Sequence, residues 1–166
     1  MHIGIDLGTT YTLTSYLNPV GVPVLVPDAR YPDEYRTASV VQIDAGVGRI
    51  GRAAEEALIK RGAKPAARGF KGQSGPWFLD DWGISWSADE LYALVLRKQM
   101  RDQAFTREPV ESTVLTVPAN FMDRQRRATE RAARIAGLPN VHLVEEPIAA
   151  AMFYGFAEGG GARTVL

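Results

Sequence analysis

The residues best placed to do chemistry open the chain. Asp6 ends the apolar run Ile3-Gly4-Ile5, and Leu7-Gly8-Thr9-Thr10-Tyr11 follows it. A short buried strand delivers Asp6 to its C-terminal end, and Gly8 lets the backbone come close to a bound group. Consecutive amides in such a turn form an anion-binding concavity suited to phosphate, with donors added by the hydroxyls of Thr9 and Thr10. A carboxylate repels phosphate, so Asp6 suits Mg²⁺, held through waters because magnesium gives up its hydration reluctantly. A tight hairpin turn that happens to contain glycine is the competing reading, and spacing alone does not choose. Glu146 stands before Pro147 at the head of Ile148-Ala149-Ala150-Ala151. That is an N-cap position with proline at N1, where the helix dipole favours a carboxylate. It reads either as a simple cap or as a functional acid. Lys71, in Phe70-Lys71-Gly72, is either a lysine that stabilises charge on a transferring phosphoryl group or an exposed loop lysine.

The elements that must position these residues can be read from pattern. Ile3–Ile5 and Tyr11–Leu17 form an antiparallel hairpin about Gly8-Thr9-Thr10, and Val22–Val26 supplies a third strand. Asp28 to Arg36 is polar and reads as an exposed loop. Ser39–Ile43 and Arg49–Gly51 suggest a second hairpin, Arg52–Arg61 a helix, and Gly62–Gly83, without any period, an irregular stretch. Ser87 caps a helix that runs to about Phe105, with Glu90 as its capping-box partner. Leu91, Val95 and Gln99, beside Tyr92, Leu96 and Met100, give that helix a buried stripe. Ser112–Val117 is a strand. A helix from Phe121 to Ala136 follows, with Phe121, Ala128, Ala132, Ile135 and Ala136 on its apolar face and Gly137 as its stop. Val141–Val144 is a strand and Pro147–Gly155 a short helix. Gly159-Gly160-Gly161 is a connector, and Thr164-Val165-Leu166 begins a further strand. Strands alternating with helices argue for α/β with crossover connections.

Composition excludes several classes. Nineteen basic residues balance nineteen acidic ones, so no net field draws the chain to nucleic acid or anionic lipid. Arg124, Arg127, Arg131 and Arg134 line one helix face, which reads as solvated rather than nucleic-acid binding, since no aromatics interleave. No apolar run reaches the length of a membrane span and no secretory signal opens the chain, so a cytoplasmic location is expected. Cysteine is absent, which removes disulfides and thiolate metal sites. His2 and His142 read as structural.

Three stretches carry a resemblance. Ile5-Asp6-Leu7-Gly8-Thr9-Thr10 is similar to the first phosphate motif of the actin-like ATPases, and Tyr11-Thr12 resembles its version in the DnaK-type heat-shock chaperones. Val117-Pro118-Ala119-Asn120-Phe121, Gln125-Arg126-Arg127-Ala128-Thr129 and Ile135-Ala136-Gly137-Leu138 resemble the same family. Glu145-Glu146-Pro147-Ile148-Ala149-Ala150-Ala151 resembles its connecting helix, with Glu145 replacing the usual asparagine. The resemblance is weakest between about 28 and 85.

The resemblance implies an α/β fold: residues 1–166 as lobe I of an actin-like, ribonuclease H-like ATPase domain, with a mixed five-stranded sheet and a small α+β subdomain inserted at about 28–110. It implies ATP/ADP with Mg²⁺, phosphate contacts from Gly8, Thr9, Thr10 and Tyr11, metal binding by Asp6, catalysis by Lys71 and Glu146, and interdomain signalling through Pro118 and Arg126. For the parent it implies a stress-response chaperone working with unfolded polypeptide, a J-domain co-chaperone and a nucleotide-exchange factor. The second lobe being absent, the fragment itself is expected to be inactive and to self-associate through Met152, Phe153 and Tyr154. A filament-forming actin-like protein, favoured by Glu145-Glu146-Pro147, and a non-catalytic interaction module are the alternatives.

Overall fold

The structure is a computed structural model that describes residues 1–44, 46–60, 62, 64–73, 76–78, 83–103 and 108–157. The expected Gly159–Gly161 connector, the strand at Thr164–Leu166 and the end of a helix at Phe105 lie outside the described residues.

The fold is mixed α/β, built on a mixed sheet. Strand β1 (His2–Leu7) is central: it runs antiparallel to β2 (Tyr11–Leu17), which pairs in turn with β3 (Pro23–Leu25). Its other edge is parallel to β10 (Ser112–Val117), and β10 is parallel to β11 (Val141–Glu145). The expected five strands are therefore present in the order β11-β10-β1-β2-β3, and a sixth, β4 (Thr37–Ala38), pairs with β2 beside them. Parallel neighbours require a crossover, and helix α3 (Asp123–Ala136) provides the one between β10 and β11.

A second sheet has β5 (Val40–Asp44) between β6 (Val47–Ile50) and β7 (Ala66–Arg68). Helix α1 (Arg52–Leu58) follows β6, and β8 (Trp77–Phe78) pairs with β9 (Ser85–Trp86). The stretch from Gly62 to Gly83 is thus not wholly irregular. β7 and β8 are too short to show a period, and their hydrogen bonds come from β5 and β9.

Helix α2 (Ala88–Gln103) is capped as its sequence indicates. The Glu90 carboxylate accepts from Ser87 N at 2.8 Å, and Glu90 N donates to Ser87 Oγ at 3.4 Å. Its stripe is buried: Leu91, Val95 and Leu96 are fully enclosed against Ile3, Ile5 and Leu7 of β1 and Leu115 of β10. Each such side chain contributes about 1.5–3 kcal/mol by leaving water. Helix α3 meets α2 through small residues, Thr129, Ala132 and Ala133, which let the two backbones approach. Ile135, expected on that face, is half exposed, and Phe121 precedes the helix rather than opening it. Gly137 ends α3 at φ 82°, and Leu138 N donates to Ala133 O at 3.0 Å, a Schellman-type stop. The arginine face is solvated. Arg131 reaches another element, donating to Asp89 of α2 at 2.9 Å.

Helix α4 (Glu146–Ala157) starts directly where β11 ends. Glu146 is therefore its first residue and Pro147 its second, one step later than the N-cap and N1 expected for them. With no loop between strand and helix, consecutive residues Glu145 and Glu146 sit at the junction itself.

Candidate functional site

The turn from β1 to β2 has the shape its residues demand. A Cβ on Gly8 would lie 2.1 Å from the carbonyl oxygen of Tyr11, so only glycine lets the loop close this tightly. The loop is then held from the second half of the chain's front. Ser39 Oγ donates to Gly8 O at 2.8 Å, and Ser39 N donates to Thr10 O at 2.8 Å. Nothing in the sequence pattern marked Ser39, because its partners, two backbone carbonyls and the buried Thr12 Oγ1 at 3.2 Å, lie far from it in sequence. Ser39→Ala is expected to cost about 1–3 kcal/mol, since it removes the hydroxyl's bonds to both Gly8 O and Thr12 Oγ1. Urea unfolding checks this.

Asp6 is exposed at the end of β1. Its Oδ1 accepts from Thr116 Oγ1 at 2.7 Å, and that same oxygen of Thr116 accepts from Leu7 N at 3.3 Å. Thr116 was also missed by sequence reading. Its role follows from the β1–β10 register, in which Ile5 faces Leu115, so Asp6 and Thr116 are next in line. One Asp6 oxygen is thereby fixed, and an exposed carboxylate so oriented is of the type that fits a hydrated Mg²⁺.

Lys71 follows Phe70, a side chain 1% exposed, which packs edge-on against Trp77 at 6.4 Å and Tyr92 at 4.8 Å. The lysine is not a loose loop residue. Its side chain is 7% exposed, and its Nζ donates to Glu146 Oε1 at 2.6 Å, with the Phe121 ring at 5.9 Å. The loop after it is tied to α3 by Gln125 Nε2, which donates to Gly72 O at 3.4 Å.

Asp6, Gly8, Thr9, Lys71, Pro118 and Glu146 all line one open cleft of about 970 Å³, floored by the β1 and β10 ends and walled by α4. Two expected members stand elsewhere. The Tyr11 ring lies under the Arg36 guanidinium at 4.7 Å and faces a different cavity, so only its backbone borders the loop. Thr10 is exposed and contributes its carbonyl to Ser39 rather than a side chain to the cleft. Arg126 sits behind the wall: its Nη2 donates to Glu145 Oε1 at 2.6 Å and its Nε to Phe121 O at 3.2 Å. The carboxylate that departs from the resembled motif is thus neutralised by the arginine of the neighbouring one.

A cleft with a tight glycine turn, an exposed carboxylate and a lysine buried against a half-exposed glutamate suits phosphate chemistry without naming a family. Comparison with known proteins names one. The family model for the Hsp70 protein matches residues 49–166. The chain belongs to the Hsp70 family. A similar curated protein is the chaperone protein DnaK of Elusimicrobium minutum strain Pei191, 36% identical over 170 residues, covering 99% of this chain and 27% of that relative. The chain thus spans about a quarter of the length of that Hsp70 relative. The Hsp70 match includes Lys71, Pro118, Arg126 and Glu146. The segment from Ile3 to Tyr11 lies before it, within the span aligned to the DnaK chaperone. Membership in this family sets aside the filament-forming alternative. Among the described residues no helix is long and apolar enough to cross a membrane.

Proposed function

We propose that the cleft is one wall of an ATP site and that the whole protein is an ATP-driven chaperone. The observation that carries this is convergence: residues from positions 6 to 146, five of them of types suited to phosphate, metal or transfer chemistry (Asp6, Gly8, Thr9, Lys71 and Glu146), meet around one opening. On this reading the amides of Gly8, Thr9 and Thr10, with that of Tyr11, cradle phosphate oxygens. Asp6 holds Mg²⁺ through waters, and the ion supplies charge neutralisation on the bound phosphates. Lys71 offers a cation that leaves Glu146 for the transferring phosphoryl group, and Glu146 then orients the attacking water. Pro118 and Arg126, at the cleft edge and behind it, report nucleotide state to the rest of the protein.

Residues 1–166 serve as lobe I, with 28–110 as an inserted subdomain, and a second lobe closes over the nucleotide. In the cytoplasm the whole protein couples ATP/ADP exchange to the capture of unfolded polypeptide, with a J-domain co-chaperone and an exchange factor as partners. Positioning catalysis needs both walls of a cleft. A steady-state ATPase assay tests this in two arms. The complete protein should turn over ATP faster when an unfolded polypeptide is added, and residues 1–166 alone should stay at background. Turnover by the 1–166 chain that survives repurification and vanishes in Lys71→Ala would overturn the two-wall reading.

A further inference from the structure

Ser39 holds the Gly8–Tyr11 turn at two points, one more than closing a loop requires. It is 2% exposed and stands between β4 and β5, where the chain passes from the first sheet to the second. A hydroxyl has one proton, and that of Ser39 goes to Gly8 O at 2.8 Å. The contact with Thr12 Oγ1 at 3.2 Å is therefore one that Ser39 Oγ accepts, from a threonine that is itself fully buried. Ser39 N donates to Thr10 O at 2.8 Å. One residue thus holds the carbonyls of two alternate peptides, and Thr12 fixes the direction of its hydroxyl.

These bonds set orientation as well as distance. A trans peptide is planar, with its N–H opposite its C=O, and no peptide here is cis. Holding Gly8 O toward Ser39 turns the N–H of Thr9 away from it, and holding Thr10 O does the same for the N–H of Tyr11. Gly8 and Thr9 border the cleft while Ser39 does not, so the serine grips the turn from behind. The close approach of Gly8 to Tyr11 O sets how tightly the turn closes. It does not decide which way the peptide planes face, because a turn containing glycine can flip a central peptide between the common turn types.

We propose that Ser39 is a positioning residue for phosphate: by holding Gly8 O and Thr10 O it aims the amides of Thr9 and Tyr11 at the phosphate oxygens of the nucleotide. An amide already aimed binds an anion without first reorienting, and affinity rises by the ordering thus avoided. The inference rests on reading the cleft as an ATP site.

The test is Ser39→Ala in the complete protein, read by steady-state ATPase kinetics with adenosine as a competitive inhibitor. Expected are a KM for ATP raised about tenfold, the equivalent of one hydrogen bond to a charged group, and an unchanged kcat. The inhibition constant of adenosine, which has no phosphate, should not move. Ile43→Val, a core deletion in the second sheet, should lower the Tm and leave all three constants as they are. A serine that only stabilised the fold would behave in the same way. An unmoved KM in Ser39→Ala overturns the proposal, and so does a KM that rises together with the adenosine constant. Should the alanine variant not fold, Ser39→Cys keeps the volume and offers only a weak S–H donor, and the same readings apply to it. Lys71→Ala in the same assay keeps the two levels apart. Turnover unchanged there sinks the ATP-site reading; turnover lost there, with KM unmoved in the Ser39 variants, sinks only the role given to Ser39.

Discussion

Lys71→Ala should lower ATP turnover of the complete protein by about 10²-fold or more, which is about 2.7 kcal/mol of barrier. The lysine is held at 2.6 Å from Glu146 in a site where its side chain is 7% exposed. A cation kept that dry acts on a developing phosphoryl charge with little solvent to reorganise, the condition under which such groups matter most. On the proposed reading nucleotide affinity should fall much less, because the loop amides and Mg²⁺ would carry the ground-state contacts. The partner residue behaves differently, and the exposures say why. Removing Lys71 leaves a carboxylate that is 41% exposed and can be hydrated. Removing Glu146 strands a buried ammonium, which costs stability as well as rate. Glu146→Gln is therefore the cleaner variant for rate, with a similar loss of kcat expected. Unchanged turnover in Lys71→Ala would show that this lysine plays no part in transfer.

The fold was legible where one residue pattern decides one element. The β1–β2 hairpin follows from apolar runs about Gly8, and β10, α3 and β11 from a β-rich run, a helical period and the Gly137 stop. Helix α2 announced both its cap, Ser87 with Glu90, and its buried stripe, down to a buried polar Gln99. The short strands β4, β7 and β8 were not legible, since two or three residues hold no period and their existence depends on a partner strand. The site was legible in its residue types and not in its geometry. Asp6, Lys71 and Glu146 each suggested phosphate chemistry. That Lys71 and Glu146 form a pair across 75 positions is set by packing of Phe70 and by the abutment of β11 and α4. Thr116 and Ser39 support the site through register and backbone approach, which leave no local mark. The segment from Asp28 to Arg36 is the exposed loop its polarity indicates, except at its first residue: Asp28 is 5% exposed. The explanation is a lysine 70 residues further on.

That lysine gives the other large effect. Lys98→Met is expected to cost about 3–5 kcal/mol of stability near neutral pH, the usual loss when one member of a buried ionic cluster is removed. Lys98 Nζ donates to Asp28 Oδ2 at 2.6 Å and to Asp102 Oδ2, and the two carboxylates are 4% and 8% exposed. Asp28 also accepts from the backbone N–H groups of Arg30 at 2.8 Å and Tyr31 at 3.1 Å. The two acids respond to the site in opposite ways. Burial works against the Asp28 carboxylate, but Lys98 and the two amides together outweigh it and leave its pKa below the ordinary value. For Asp102 burial wins over the same lysine, with repulsion from Asp28 added, and its pKa is raised. The signs follow. The Asp28 contribution is present above the unfolded value of about 3.9 and is lost as pH falls through its lower folded value. The Asp102 contribution is present below about 3.9 and is lost as pH rises through its higher folded value. Without Lys98 both carboxylates lose their cation, so both pKa values move upward and both ionised forms are penalised. The variant should then recover stability as pH falls toward about 4, narrowing its gap from the parent. Asp102→Asn should cost far less, because one carboxylate then faces one lysine and the less favourable of the two charges is gone. Urea unfolding of all three proteins across pH 4–8 measures both effects. A Lys98→Met loss below about 1 kcal/mol, or one independent of pH, would mean that water reaches these carboxylates and that the cluster is not the buried lock between the front loop and α2 that its exposures indicate.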